Sequence, residues 1–174
     1  MYGQAGVGLS PQSSGPGNNQ ALIEEKLKVE AEVKGAAGWF FWIAGLSLIN
    51  SIIILFGGQW HFIIGLGVTT FFDAVAVHLA NSVANIAVFV VNLFILTIPV
   101  VFGVFARKGY KWAFIVGMLL YGLDGGLLLL FRDWLGAGFH VYALFMIYRG
   151  ISAVSMLQQL RQDTLALTPT PIEP

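Results

Sequence analysis

The sequence contains no cysteine. That excludes a disulfide framework, a thiolate metal site, a cysteine nucleophile and a lipidated cysteine anchor. Charge is nearly as scarce, at 10% of residues, where a soluble domain carries about 25%. Nine Lys and Arg balance nine Asp and Glu, so the basic footprint of a nucleic-acid binder is missing and no nucleic-acid partner is expected. There is also no Walker-type phosphate loop, no H-E-x-x-H zinc pair and no G-x-S-x-G elbow. Gly65 and Gly67 lack the third glycine and the strand context of a dinucleotide loop. The three histidines are scattered, and Ser47, Ser51 and Ser152 have no His or Lys placed by spacing to activate them. These absences point away from an enzyme, and no cofactor and no metal site are expected.

What the chain has instead is apolar surface: 57% hydrophobic residues and a mean hydropathy of +0.78 over 174 residues. A chain of this size has too little interior to hide so much. The fold class expected is all-α, a polytopic helical membrane protein with the lipid bilayer as its first partner. Four apolar runs approach or exceed the ~20 residues that a ~30 Å hydrocarbon core requires: Trp39–Phe56, Val83–Ala106, Trp112–Phe131 and Leu135–Leu157. Trp39, Trp42, Trp60, Trp112 and Trp134 fall at or near the ends of these runs, where an amphipathic indole prefers to lie.

Outside the membrane domain of residues 36–157, three segments read differently. Residues 1–19, rich in Gly, Pro, Ser and Asn, read as a disordered tail without the features of a signal peptide. Residues 20–35 (QALIEEKLKVEAEVKG) read as a separate charged juxtamembrane helix, with Glu24–Lys28 and Glu30–Lys34 spaced four apart. Residues 158–174, ending in three prolines, read as a mostly disordered C-terminal tail.

Residues 62–82 (FIIGLGVTTFFDAVAVHLANS) are apolar enough to span, yet carry Asp73 and His78. The positive-inside rule arbitrates. With four spans, Lys26, Lys28 and Lys34, then Arg107, Lys108 and Lys111, then Arg161, all fall on one side. That favours four transmembrane helices plus one interfacial or re-entrant helix, with both termini cytoplasmic. The alternative is five transmembrane helices. A faint repeat at a shift of 74 residues, placing Asn50 on Asp124 and Trp60 on Trp134, leans towards that alternative.

Ionisable groups at membrane depth are functional candidates by default. The runs on either side of Arg132–Asp133–Trp134 must form an antiparallel hairpin. Asp124 lies nine residues before Asp133 and His140 seven after it, so their depths differ by only about 3 Å. A proton-exchanging pair and a structural hydrogen bond are both allowed. Arg149 is about 24 Å from the turn, which places it at headgroup level rather than beside Asp124. His78, Asn85 and Asn92 recur every seven residues and share one face of a continuous helix, either lining a path for protons or ions with Asp73 or tying helices together. Gly122 and Gly126 form a GxxxG pair suited to close helix packing, and Pro99 is expected to kink its span.

The runs Gly38–Ser51 (GWFFWIAGLSLINS), Ile115–Gly126 (IVGMLLYGLDGG) and Asp133–Leu144 (DWLGAGFHVYAL) resemble a set of small bacterial polytopic membrane proteins with no assigned activity. The resemblance covers roughly residues 36–157 and implies a bacterial cytoplasmic membrane. The expected function is a non-enzymatic accessory or scaffold subunit, or a self-associating module in a homo-oligomer or larger membrane complex. The alternative is a small proton- or ion-coupled transporter or channel subunit using Asp124 and His140.

Overall fold

Along α1 (Pro16–Leu55) the buried residues Val29, Val33, Ala36, Phe40, Ile43, Ser47 and Asn50 recur every three or four positions. That spacing turns one unbroken stripe of a helix inwards. The computed structural model describes residues 16–58, 66–79 and 82–167, and among these every regular element is a helix. The others are α2 (Gly67–Leu79), α3 (Ser82–Arg107), α4 (Lys111–Leu130) and α5 (Trp134–Leu167). Helices α1, α3, α4 and α5 are each long and apolar enough to cross a membrane. At 13 residues, α2 is about 20 Å long and too short to do so. Among the described residues the arrangement is four helices long enough to span and one short helix, as the reading of four spans plus one interfacial or re-entrant helix has it, and not five spans.

α1 packs on α3 and α5, and α4 packs on the same two, which closes a ring of four. α2 is inserted among α1, α3 and α4. It enters at the end of the bundle that holds the α4–α5 turn. The opposite end, here the terminal end, holds the first half of α1, the α3–α4 turn and the last turns of α5. With lipid outside, packing rather than burial from water holds such helices together, and glycine sets how close they come. A Cβ on Gly117 would lie 2.6 Å from the Phe40 ring. One on Gly103 would lie 2.8 Å from Phe41.

The exits from α1, α3 and α4 repeat one motif. At the end of α3, Tyr110 N–H donates to Phe105 O and Gly109 N–H to Ala106 O, with Gly109 at φ +83°. This is the Schellman closure, which calls for a left-handed residue just past the helix. Gly57 serves α1 in the same way at φ +78°, and Arg132 serves α4 at φ 59°. Asp133 follows at once and starts α5, its Oδ1 accepting from the Gly136 N–H at 2.9 Å.

Three sequence expectations are corrected. The charged segment 20–35 is not a separate helix. It runs on into the first span, because Val29 and Val33 continue the buried stripe and Gly35 and Gly38 keep helical backbone. Residues 158–167 are helical rather than tail: Leu157 and Leu160 carry the α5 stripe outwards to meet Val29 and Val33 in the same cluster. Pro16–Asn19 are likewise helical, whereas residues 1–15 and 168–174 lie outside the described residues.

Candidate functional site

A helix that begins inside a membrane protein must find acceptors for its first N–H groups, which have no partner within the helix. At the start of α2 these come from two other helices. Leu66 N–H donates to Ser47 Oγ on α1 at 2.7 Å. Gly67 N–H donates to Asp124 Oδ2 on α4 at 2.7 Å, and Val68 N–H to Asp124 Oδ1 at 2.8 Å. Thr69 closes the turn locally through its hydroxyl to Leu66 O at 2.8 Å. Asp124 therefore caps α2 with both carboxylate oxygens, at the helix end whose dipole favours negative charge. The residue at 67 has to be small: a Cβ there would sit 2.9 Å from Leu128 Cδ2 and 3.2 Å from the Asp124 carbonyl oxygen.

The same carboxylate meets His140 on α5, with Nε2 and Oδ2 3.0 Å apart. The hairpin depth read from the sequence is realised as contact. His140 Nδ1 lies 2.9 Å from the Gly136 carbonyl oxygen, so both ring nitrogens face oxygen. A neutral imidazole offers one donor and one acceptor: its Nε2–H tautomer donates to Asp124 Oδ2 and its Nδ1–H tautomer to the Gly136 carbonyl. The buried Tyr121 ring stacks on His140 at 4.1 Å between centroids, and among the described residues its hydroxyl has no partner. Gly125 is the close-approach residue here, since a Cβ on it would lie 3.1 Å from His140.

Asp73, six residues along α2 from Gly67, forms a second buried cluster. Its Oδ1 accepts from Asn92 Nδ2 at 2.7 Å and its Oδ2 from Ser51 Oγ at 3.3 Å. Asn92 Nδ2 also donates to Ser51 Oγ at 2.9 Å. α2 is thus tied to α4 and α5 through Asp124, and to α1 and α3 through Asp73. Among the described residues no hydrogen bond joins the two clusters.

No family model, curated protein or solved structure matches the chain. The site must be argued from its own geometry. The seven-residue row of His78, Asn85 and Asn92 is not one face of one helix, because α2 ends at Leu79 and α3 starts at Ser82. His78 is exposed on α2, Asn85 is half-buried, and Asn92 alone joins Asp73. The GxxxG pair does not mark the tight contact either. Gly126 has open space around it and Gly122 meets only Leu144 at 3.9 Å, while Gly117 and Gly125 carry the close approaches. Arg149 pairs with Glu32 on α1 at 2.8 Å, across half-exposed side chains, and not with Asp124. Beside the Asp124 cap, α3 and α4 part around an almost wholly apolar cavity of about 400 Å³, with Phe40, Pro99, Leu120 and Tyr121 in its wall. Among the described residues no group of three metal-ligating side chains gathers.

The parts of the site that sequence reasoning missed are Ser47, Ser51, Tyr121, Gly125 and the Gly67 and Val68 amides. The serines have no activating His or Lys placed by spacing, yet their own four-residue spacing at the end of an apolar run is a sign of inward-facing donors. The amides carry no letter in a sequence.

Proposed function

We propose that this chain is a non-enzymatic integral membrane protein, an accessory or scaffold subunit or a self-associating helical module. Its buried acids serve architecture: they seat a short re-entrant helix in the bundle. The observation that carries this reading is saturation. Both oxygens of Asp124 are taken up by two backbone amides and His140, and both oxygens of Asp73 by Ser51 and Asn92. Neither carboxylate has an oxygen left over for a passing ion. The membrane is a bacterial cytoplasmic one, as the resemblance implies. Both termini lie inside, in keeping with the gathering of Lys34, Arg107, Lys108 and Arg161 at the terminal end.

One observation favours a second reading, a proton-coupled transporter or channel subunit. The proton between His140 Nε2 and Asp124 Oδ2 has two oxygen- or nitrogen-based resting places 3.0 Å apart, the arrangement a relay uses. A single experiment separates the two. The purified protein is placed in liposomes that enclose a pH-sensitive dye, and a potassium diffusion potential is applied. A scaffold leaks protons no faster than protein-free liposomes. Proton flux that Asp124→Asn abolishes, with the variant still folded by circular dichroism, overturns the scaffold reading in favour of the relay.

A further inference from the structure

At the terminal end four basic side chains converge with little to pair with. Lys34 on α1, Arg107 and Lys108 at the close of α3, and Arg161 on α5 line a cavity of about 220 Å³, with Glu30 the one acid in its wall. All four are exposed, and among the described residues none of them makes an ion pair. The Arg107 guanidinium lies 4.6 Å over the Phe41 ring, and the Lys108 ammonium 5.7 Å over the Phe105 ring. An aromatic face steadies a cation from one side and leaves its N–H donors free at the edge.

Phe41 has a second neighbour. With Gly45, Leu48, Leu93 and Val100 it lines an apolar groove of about 560 Å³ along the seam of α1 and α3. Lys34, Phe41 and Leu48 follow one another at seven-residue intervals on α1, and Arg107, Val100 and Leu93 do so on α3. That spacing keeps each set on one helix face. The cations therefore stand at the mouth of the groove, at the depth where apolar spans give way to charge.

We infer that this end of the protein binds an anionic phospholipid, its phosphate among Lys34, Arg107 and Arg161 and one acyl chain in the α1–α3 groove. Guanidinium forks match phosphate oxygens in charge and in geometry. Basic pockets between membrane helices are suited to anionic headgroups. Four cations against one carboxylate disfavour a zwitterionic headgroup, which brings its own positive charge. The groove supplies what free phosphate cannot use. This site does not depend on the scaffold reading, since it lies at the other end of the bundle from Asp124.

The test is lipid binding to the full chain in a neutral detergent, read by native mass spectrometry while phosphatidylglycerol or phosphatidylcholine is titrated in. Wild type is expected to retain one phosphatidylglycerol per chain in preference to phosphatidylcholine. Each cation removed, as in Arg107→Gln or Arg161→Gln, is expected to weaken retention about fivefold. Arg161 makes no ion pair among the described residues, so its variant stands should Arg107→Gln, which loses the Phe41 stack, not fold. Lys26→Gln with Lys28→Gln removes two cations away from the cavity, one more than either single variant, and is expected to leave retention within about twofold. Gly45→Phe, which fills the groove, is expected to lower retention of the long-chain lipid and not of a dihexanoyl analogue. Equal losses in the Lys26 and Lys28 control overturn the site as mere surface charge. Displacement of the lipid by millimolar inorganic phosphate overturns the lipid as its ligand.

Discussion

The two ends of this bundle treat charge in opposite ways. At the α2 end, Asp73 and Asp124 are buried and every carboxylate oxygen has a partner. At the terminal end, Lys34, Arg107, Lys108 and Arg161 are exposed and none is in an ion pair among the described residues. A buried charge without partners costs several kcal/mol, so it persists only where neighbours are built around it. An exposed cation costs little and keeps its donors for a visitor. On the scaffold reading proposed above, saturation marks architecture; on the lipid proposal, unpaired charge beside a cavity marks a place for a ligand. Buried acids in a membrane span invite a functional reading by default, and here their bonding argues the other way.

The sharpest way to break this contrast is Asp124→Leu. It strands two amides and His140 in the interior, and is expected to cost about 3–5 kcal/mol, measured as a drop in the denaturation midpoint in mixed micelles. A loss below about 1 kcal/mol would mean that the cap is dispensable and that the acid is kept for another purpose. A smaller effect is expected at the second cluster. Asn92→Leu leaves Asp73 with Ser51 alone and should cost about 1–3 kcal/mol in the same assay, with α2 the segment that gains hydrogen exchange. The smallest effect belongs to the exposed pair on the flank of the bundle. Glu32→Gln or Arg149→Gln is expected to cost less than about 1 kcal/mol, because solvent screens side chains that are 41% and 52% exposed. A larger loss there would blur the line between the two kinds of charge.

Much of the fold was legible because hydropathy and tryptophan placement are local signals. The four spans came out within a few residues of α1, α3, α4 and α5, save that α1 and α5 run further. The Asp124–His140 contact was legible for a geometric reason: an antiparallel hairpin with a tight turn equates depth with distance from the turn. The row of His78, Asn85 and Asn92 failed because heptad spacing assumes one continuous helix, and neither proline nor glycine lies between Leu79 and Ser82 to announce the break. Gly122 and Gly126 failed because GxxxG names a spacing without naming the neighbour. Gly125, one residue from Gly126, faces His140. The capping of α2 was out of reach, since its donors are main-chain groups and its acceptor lies 57 residues further on.

That last separation has a bearing on how the molecule is made. Synthesis runs from the N-terminus, so Leu66, Gly67 and Val68 leave the ribosome long before Asp124, and His140 follows later still. Ser47 is present in time to receive the Leu66 amide, but the next two amides have no acceptor until α4 is in place. α2 is thus the element whose seating waits on the rest of the chain, and a nascent protein halted after α3 holds it by Ser47 and by the Asp73 cluster alone.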